Sequence, residues 1–255
     1  MRFSIITVCR NSEATIAETI DSVLAQQIVP IEYIVVDGAS TDRTMAIVNS
    51  YGSKIAKVVS EPDRGLYDAM NKGLSLATGD VVAFLNSDDI YVDNNVLERV
   101  DHAMSADTID ACYADLYYVA RDNPARIVRR WTSREYVPGL FEKGWMPAHP
   151  TFFVRRLCYT RHGGFDLRFG LQADFELALR FMHVGGIRTR YVPETWVRMR
   201  AGGLGGSSLK NVLAGNFAAY RACRAHHLNV PPWFIITKIG SRIPQFFSGR
   251  LARSP

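Results

Sequence analysis

Four short runs of apolar and β-branched residues, each leading straight into a polar cluster, set the tightest limit on what this chain can fold into. Residues 3–8, 31–36, 55–60 and 81–85 have the length and continuity of strands, the first of them reading as buried on both faces. Helical spacings lie between them. Ile16, Ile20, Val23 and Leu24 recur at helical intervals after a cap at Asn11 or Ser12. Met45, Ile47 and Val48 mark a short second helix, and the pattern predicts a third over 66–77, stopped at Gly79-Asp80. Strand and helix in this alternation predict right-handed crossovers and a mostly parallel, Rossmann-like α/β sheet with helices on both faces. Ligands of such sheets bind beyond the carboxyl ends of the strands. The polar clusters at 7–11, 37–42, 61–64 and 86–89 fall at those ends, so four loops converge on one crevice.

Beyond residue 105 the rhythm changes. Residues 112–119 and 127–131 read as longer, antiparallel strands, and 139–150 as a loop rich in Gly, Pro and Trp. The spacing predicts a helix over 175–182 with Asp174 at its start, where a plain N-cap is the competing reading, and the glycine-rich run 202–208 has the composition of a lid. The chain has 255 residues, 47% of them hydrophobic, enough for one large domain with a smaller appendage. No run approaches the roughly 20 apolar residues of a membrane span. The first residues read as a strand rather than a secretory signal, and the four scattered cysteines as reduced, buried thiols, so a cytoplasmic location is expected.

Charge is divided unevenly. Residues 1–125 carry 9 Lys/Arg against 19 Asp/Glu, a balance of −10, whereas residues 126–255 carry 21 against 6, a balance of +15. No acidic residue follows Glu194. A basic half favours an anionic partner: nucleic acid, a phosphate-bearing substrate or an acidic membrane surface.

The acidic cluster Asn86-Ser87-Asp88-Asp89 carries the sharpest chemistry. Adjacent carboxylates repel, and a hard divalent cation such as Mn²⁺ or Mg²⁺, shared with substrate phosphates, removes that cost. A solvated turn whose Asp caps the next helix is the competing reading. Asp37 likewise reads either as an acceptor for a base or ribose lying across the crevice or as ordinary turn chemistry.

Read in order, the segments make a recognisable set. The run Phe3-Ser4-Ile5-Ile6-Thr7-Val8-Cys9-Arg10-Asn11 is followed by Tyr33-Ile34-Val35-Val36-Asp37-Gly38-Ala39-Ser40-Thr41-Asp42. Then come Asp63-Arg64-Gly65-Leu66-Tyr67-Asp68-Ala69-Met70-Asn71-Lys72-Gly73, Phe84-Leu85-Asn86-Ser87-Asp88-Asp89, His149-Pro150-Thr151-Phe152-Phe153 and Ala173-Asp174-Phe175-Glu176-Leu177. Over about residues 2–205 the chain resembles the family 2 glycosyltransferases. The resemblance implies a GT-A fold and inverting transfer of a sugar from a nucleoside diphosphate sugar, with UDP favoured, to a hydroxyl of a glycan or lipid-linked acceptor. It implies a donor-binding set of Thr7, Cys9, Glu13, Asp37, Arg64, Asp68, Asn71, Asn86, Ser87 and Asp88, with Asp89 as metal ligand. Asp174 matches the family's general base and His149 falls on the acceptor side. It divides the chain into a nucleotide-sugar half (1–105), an acceptor and catalytic half (106–208) and a basic C-terminal helical region (209–255). Cys9 departs from the aromatic or polar residue many relatives carry there. The lack of a Gln-x-x-Arg-Trp motif points to single-sugar transfer rather than processive synthesis.

Residues 228–247 interleave Trp233, Phe234, Ile235, Ile236, Ile239, Ile243, Phe246 and Phe247 with Lys238 and Arg242. Such a segment suits either an anionic membrane surface or docking on the main domain. A basic nucleic-acid-binding protein is one alternative, but no helix-turn-helix, zinc or RNA-binding motif supports it and the acidic crevice opposes it, so no nucleic-acid partner is expected. A dinucleotide-dependent dehydrogenase is set aside, since no G-x-G-x-x-G follows the first strand. A nucleotide-sugar-binding protein without catalysis remains the other alternative, and nothing in the sequence fixes the oligomeric state.

Overall fold

The computed structural model describes residues 1–27, 30–202, 209–231 and 233–240. The first half follows the alternation read in the sequence: β1 (Phe3–Cys9), α1 (Ile16–Leu24), β2 (Ile31–Asp37), α2 (Thr44–Ser50), β3 (Lys57–Ser60), α3 (Leu66–Leu76) and β4 (Val81–Phe84). β1 lies between β2 and β4, and β2 pairs outward with β3, all in parallel. Side chains of β1 and β2 alternate between two cores. Phe3, Ile5, Tyr33 and Val35 meet Ile16, Ile20 and Val23 of α1, while Ile6, Val8, Ile34 and Val36 meet Tyr67 and Met70 of α3. A strand buried on both faces needs that near-continuous apolar composition.

The second half adds β5 (Ile90–Tyr91), α4 (Val96–Ala103), β6 (Ala111–Val119), β7 (Ile127–Trp131), β8 (Phe153–Arg155), α5 (Arg156–His162), α6 (Ala173–Leu179), β9 (Thr189–Arg200), α7 (Leu209–Ala225) and α8 (Phe234–Gly240). Among the described residues this gives one nine-stranded sheet, ordered β3-β2-β1-β4-β8-β6-β9-β5, with β7 paired to β6. β7 is antiparallel to β6, as its pattern predicts. β9 was not legible, and Pro193 is the reason: the β6–β9 register jumps from Tyr113↔Tyr191 to Asp115↔Thr195 across it, an irregularity that hides a twelve-residue strand.

Three expectations need correction. α1 starts at Ile16 after Thr15, with no side-chain cap. Asn11 instead adopts a positive φ of 50° and accepts the Thr41 N–H at 2.9 Å, tying the first loop to the second. The 139–150 loop contains two 3-10 turns, Phe141–Lys143 and His149–Thr151. The helix expected over 175–182 starts earlier: α6 begins at Ala173 with Gln172 at its N-cap position, so Asp174 lies inside the first turn and the competing N-cap reading falls away. Finally, of the two readings of the C-terminal segment, Lys238 follows the docking one. It is 1% exposed, and with the fully buried Phe234 it docks α8 on the domain, whereas Trp233 and Ile236 stay exposed. The lid expectation at 203–208 and the tail beyond 240 lie outside the described residues. All four cysteines are buried and free.

Candidate functional site

The carboxyl ends of β1, β2 and β4 bring the first, second and fourth polar loops together, and hydrogen bonds between the loops hold them. The Ser12 and Ser87 hydroxyls lie 2.8 Å apart, linking the loop after β1 to the one after β4. Glu13 accepts from the Arg43 N–H and guanidinium at 2.9 and 3.2 Å, and its own N–H donates to Asp42. Gly38 lets the third loop in as well: a Cβ there would run into the Asp63 carboxylate.

Asp37 ends β2, fully buried and level with Cys9 in the β1–β2 register. Its carboxylate accepts from the Ser40 N–H at 3.0 Å, the Ser40 hydroxyl, the Ser60 hydroxyl at 2.6 Å and, more distantly, the Cys9 thiol at 3.7 Å. Asp37 is thus the organiser of the 37–42 loop. Burial and the Asp37 carboxylate push the Cys9 thiol far up, so it remains a neutral thiol. Thr7 is fully buried below the crevice, where its hydroxyl accepts from Tyr33 at 3.0 Å.

The turn into α3 is closed by Arg64, which donates to Asp68 from its main chain at 3.0 Å and its guanidinium at 2.8 Å. Those bonds hold the Asp68 carboxyl below the usual range. Asn71 clasps the main chain of Phe165 through both amide atoms, at 2.9 and 2.8 Å, and so fixes the 163–166 turn against α3. In this arrangement Asp68 and Asn71 shape the wall of the crevice from within rather than presenting free polar atoms.

The cluster after β4 is different. Asp89 is 1% exposed and both its carboxylate oxygens lack a hydrogen-bond partner, as does the Asn86 side-chain oxygen. Burial, and then the neighbouring Asp88 charge, raise the Asp89 carboxyl well above its ordinary value; the Arg200 N–H and the Asn86 amide offset this only in part. Burial also raises Asp88, against the pull of Arg121 and Arg200. Arg200, itself 5% exposed, donates to the Asp88 carbonyl at 3.4 Å and to Glu18 at 2.6 Å.

A buried carboxylate whose oxygens make no hydrogen bond of normal geometry, and which Arg200 and Asn86 offset only in part, is costly, and a hard divalent ion is chemistry that removes the cost. The donor set fits such an ion: unpartnered carboxylate oxygens on Asp89, with Asp88 beside it. Among the described residues no three His, Cys, Asp or Glu side chains gather to hold a metal unaided. An ion bound here would therefore draw its remaining ligands from phosphate and water, as magnesium-type ions commonly do.

Across the crevice, Asp174 is half-buried in the first turn of α6 and accepts the Phe175 N–H at 2.8 Å. The Tyr67 hydroxyl lies against it, and burial followed by the Asp174 charge raises the Tyr67 phenol far above its usual value. His149 stacks on Phe84 at 5.9 Å and meets the edge of Phe165 at 5.7 Å, with Nε2 buried and unpartnered. Burial lowers the His149 ring while the nearby Asp174 carboxylate pulls it back up, so a neutral imidazole faces the base candidate. Tyr67, Arg121 and Arg200 had no role in the sequence reading. Tyr67 lies within the 63–73 segment, the excess of cations in the second half was the only signal for Arg200, and nothing in the sequence signalled Arg121.

Comparison with known proteins bears on this arrangement. The model of glycosyl transferase family 2 matches residues 4–165. A PGL/p-HBAD biosynthesis glycosyltransferase of Mycobacterium bovis is 30% identical over 198 residues, covering 74% of this chain and 73% of the relative. Among solved structures, S. aureus TarS 1–349 in complex with UDP-GlcNAc superposes with a TM-score of 0.64 at 18% identity, over 97% of this chain and 73% of that one. The chain spans 44% of the longer TarS chain. A mannosyltransferase of Pyrobaculum calidifontis, in complex with GDP-Man and Mn²⁺, superposes with a TM-score of 0.60 at 20% identity, over 98% and 82% of the two chains. These structural likenesses, below a quarter identity, bear on the GT-A fold.

Proposed function

The chain belongs to glycosyl transferase family 2 and is a glycosyltransferase, and from that premise we propose that it moves a single sugar with inversion from a nucleoside diphosphate sugar, UDP favoured, to a hydroxyl acceptor. The observation that carries this reading is Asp89: a buried carboxylate with both oxygens unpartnered, at a strand end where a diphosphate would lie. Asp89 would hold a divalent ion, Mn²⁺ or Mg²⁺, with Asp88 toward the ribose and sugar. When bound, that ion supplies positive charge against the leaving diphosphate. Residues 1–105 hold the donor in this reading, with the 7–13, 37–42 and 64–71 segments enclosing the base, and residues 106–208 present the acceptor and the base.

In the transfer, the acceptor oxygen forms a bond to the anomeric carbon from the face opposite the diphosphate. The bond from that carbon to the diphosphate oxygen breaks, and the diphosphate leaves with its electron pair. Asp174 takes the hydroxyl proton, a role that contributes about 10²–10⁴-fold in rate. Tyr67 orients that carboxylate, and neutral His149 lies on the acceptor side. The test is a panel of nucleotide sugars scored for Mn²⁺-dependent thermal stabilisation. A true donor at about 100 times its Kd adds about 2.7 kcal/mol, and a panel without a single hit removes the proposal.

A lipid-linked acceptor is the reading favoured by the C-terminal helices, at the inner face of the cytoplasmic membrane. No helix among the described residues is long and apolar enough to cross a membrane. Leu213 and Phe217 on α7, Ile236 on α8 and Trp233 just before it nonetheless hold large apolar side chains in solvent, with Ile236 72% exposed. Phe217 stacks on Tyr220, which packs on Phe234, so the two helices share this surface. No acidic residue follows Glu194 to repel an anionic leaflet. Sedimentation with anionic vesicles at low salt, and none with zwitterionic ones, is the expected outcome; indifference to both rejects the membrane reading.

A further inference from the structure

The docking of α8 leaves one feature that holding a helix in place does not require. Lys238 reaches into the domain with its stem lying against Gly144, where any Cβ would overlap it, and its ammonium is almost wholly buried. Nζ donates to the Gln172 side chain at 2.7 Å and lies 4.3 Å from the centre of the Phe175 ring. Gln172 is the N-cap of α6 and Phe175 its third residue, so the two contacts bracket Asp174. Gly215 of α7 packs against the other side of the Gln172 side chain, which is therefore held between the two C-terminal helices. Taking an ammonium out of water costs several kcal/mol, and a methionine or leucine would dock α8 without that cost. A cation at the amino end of a helix is, in addition, at the unfavourable pole of the helix dipole.

We propose that Lys238 is a positioning residue for sugar transfer, its contacts with Gln172 and Phe175 fixing the first turn of α6 and, with it, the Asp174 carboxylate. The C-terminal helix is then part of the active-site scaffold and not only a surface appendage. This rests on the reading of Asp174 as the base. The chain beyond residue 165, outside the family match, would supply the orientation of the residue that takes the proton.

The full-length chain tests this through three variants, Lys238→Met, Lys238→Arg and Gln172→Leu, and the double variant K238M/Q172L. Turnover is read as UDP release with Mn²⁺ from UDP-glucose, UDP-galactose or UDP-N-acetylglucosamine, whichever the unmodified chain consumes. Affinity is read by calorimetry with UDP and Mn²⁺. A misplaced base costs rate and leaves donor binding intact, so K238M is expected to lower kcat by about tenfold or more with the Kd for UDP unchanged. K238R recovers part of that loss, Q172L reproduces part of it, and the double variant is no worse than K238M, because K238M already removes the Lys238–Gln172 bond. Unchanged kcat in K238M, a kcat loss matched by an equal loss of UDP affinity, or additive losses in the double variant overturns the inference. Asp174→Asn separates the two claims. An inactive D174N beside a fully active K238M removes Lys238 alone, whereas an active D174N removes the base assignment itself.

Discussion

The two ends of the same sheet each bury a carboxylate, and treat it in opposite ways. At the amino end, Glu32 of β2 is 2% exposed and fully provided for: the Ser4 hydroxyl donates at 2.6 Å, the Thr78 N–H and hydroxyl at 2.7 and 2.8 Å, and Lys57 pairs with it at 3.0 Å. Burial alone would raise that carboxyl, but the hydrogen bonds outweigh it and hold it down at about 2. At the carboxyl end, Asp89 is as deeply buried and neither oxygen makes a hydrogen bond of normal geometry; Arg200 and Asn86 offset the cost only in part, so burial and Asp88 win and its carboxyl is raised. A buried charge whose partners are all protein is part of the folding machinery. One whose partners are missing marks where a ligand completes the structure.

That contrast can be broken in several places. The largest effect belongs to the far wall of the crevice: D174N should lower kcat by about 10²–10⁴-fold while Mn²⁺–UDP affinity, set by the sheet end, stays within a few-fold. Next, Glu32→Ala should cost about 3–5 kcal/mol in urea unfolding, because Ser4, Thr78 and Lys57 lose their common partner. The acid limb follows the same group. A carboxyl held below its unfolded value contributes stability above the ordinary carboxylate range and loses it as pH falls toward about 2. Wild type should therefore lose stability over that window more steeply than E32A. Smallest, and opposite in sign, Asp89→Asn should stabilise the ligand-free protein by about 0.5–2 kcal/mol, since it removes a buried charge that the fold does not compensate. Destabilisation by D89N comparable to that of E32A would mean that the two ends of the sheet do not differ.

Much of this was legible in the sequence. The continuous apolar runs of β1, β2 and β4 and the polar residues after them fixed the crevice, because a strand buried on both faces admits little else. The Asp88-Asp89 pair stood out as a repulsive doublet that a cation would resolve. What was not legible depends on contacts between distant segments. Glu32 looked like an ordinary charge in a strand, since the partners that neutralise it come from β1, β3 and the turn after α3. Asn71 and Asp68 read as donor-facing, but their bonds to Phe165 and Arg64 become apparent only once the 163–166 turn packs on α3. Helical spacing in the C-terminal segment said that one face was apolar and could not say which face would dock. Lys238 therefore fitted either reading, and the structure buries it against Gln172 at the start of the helix that carries Asp174.

The most direct test of the contrast is the thermal unfolding of wild type and D89N, each measured with and without Mn²⁺ and UDP. Wild type should gain about 2.7 kcal/mol when UDP is present at about 100 times its Kd, and that gain should require the metal. D89N should start out more stable and gain almost nothing. Equal gains in the two proteins, or none in wild type, would contradict the assignment of Asp89 as the carboxylate that a metal-bound diphosphate completes.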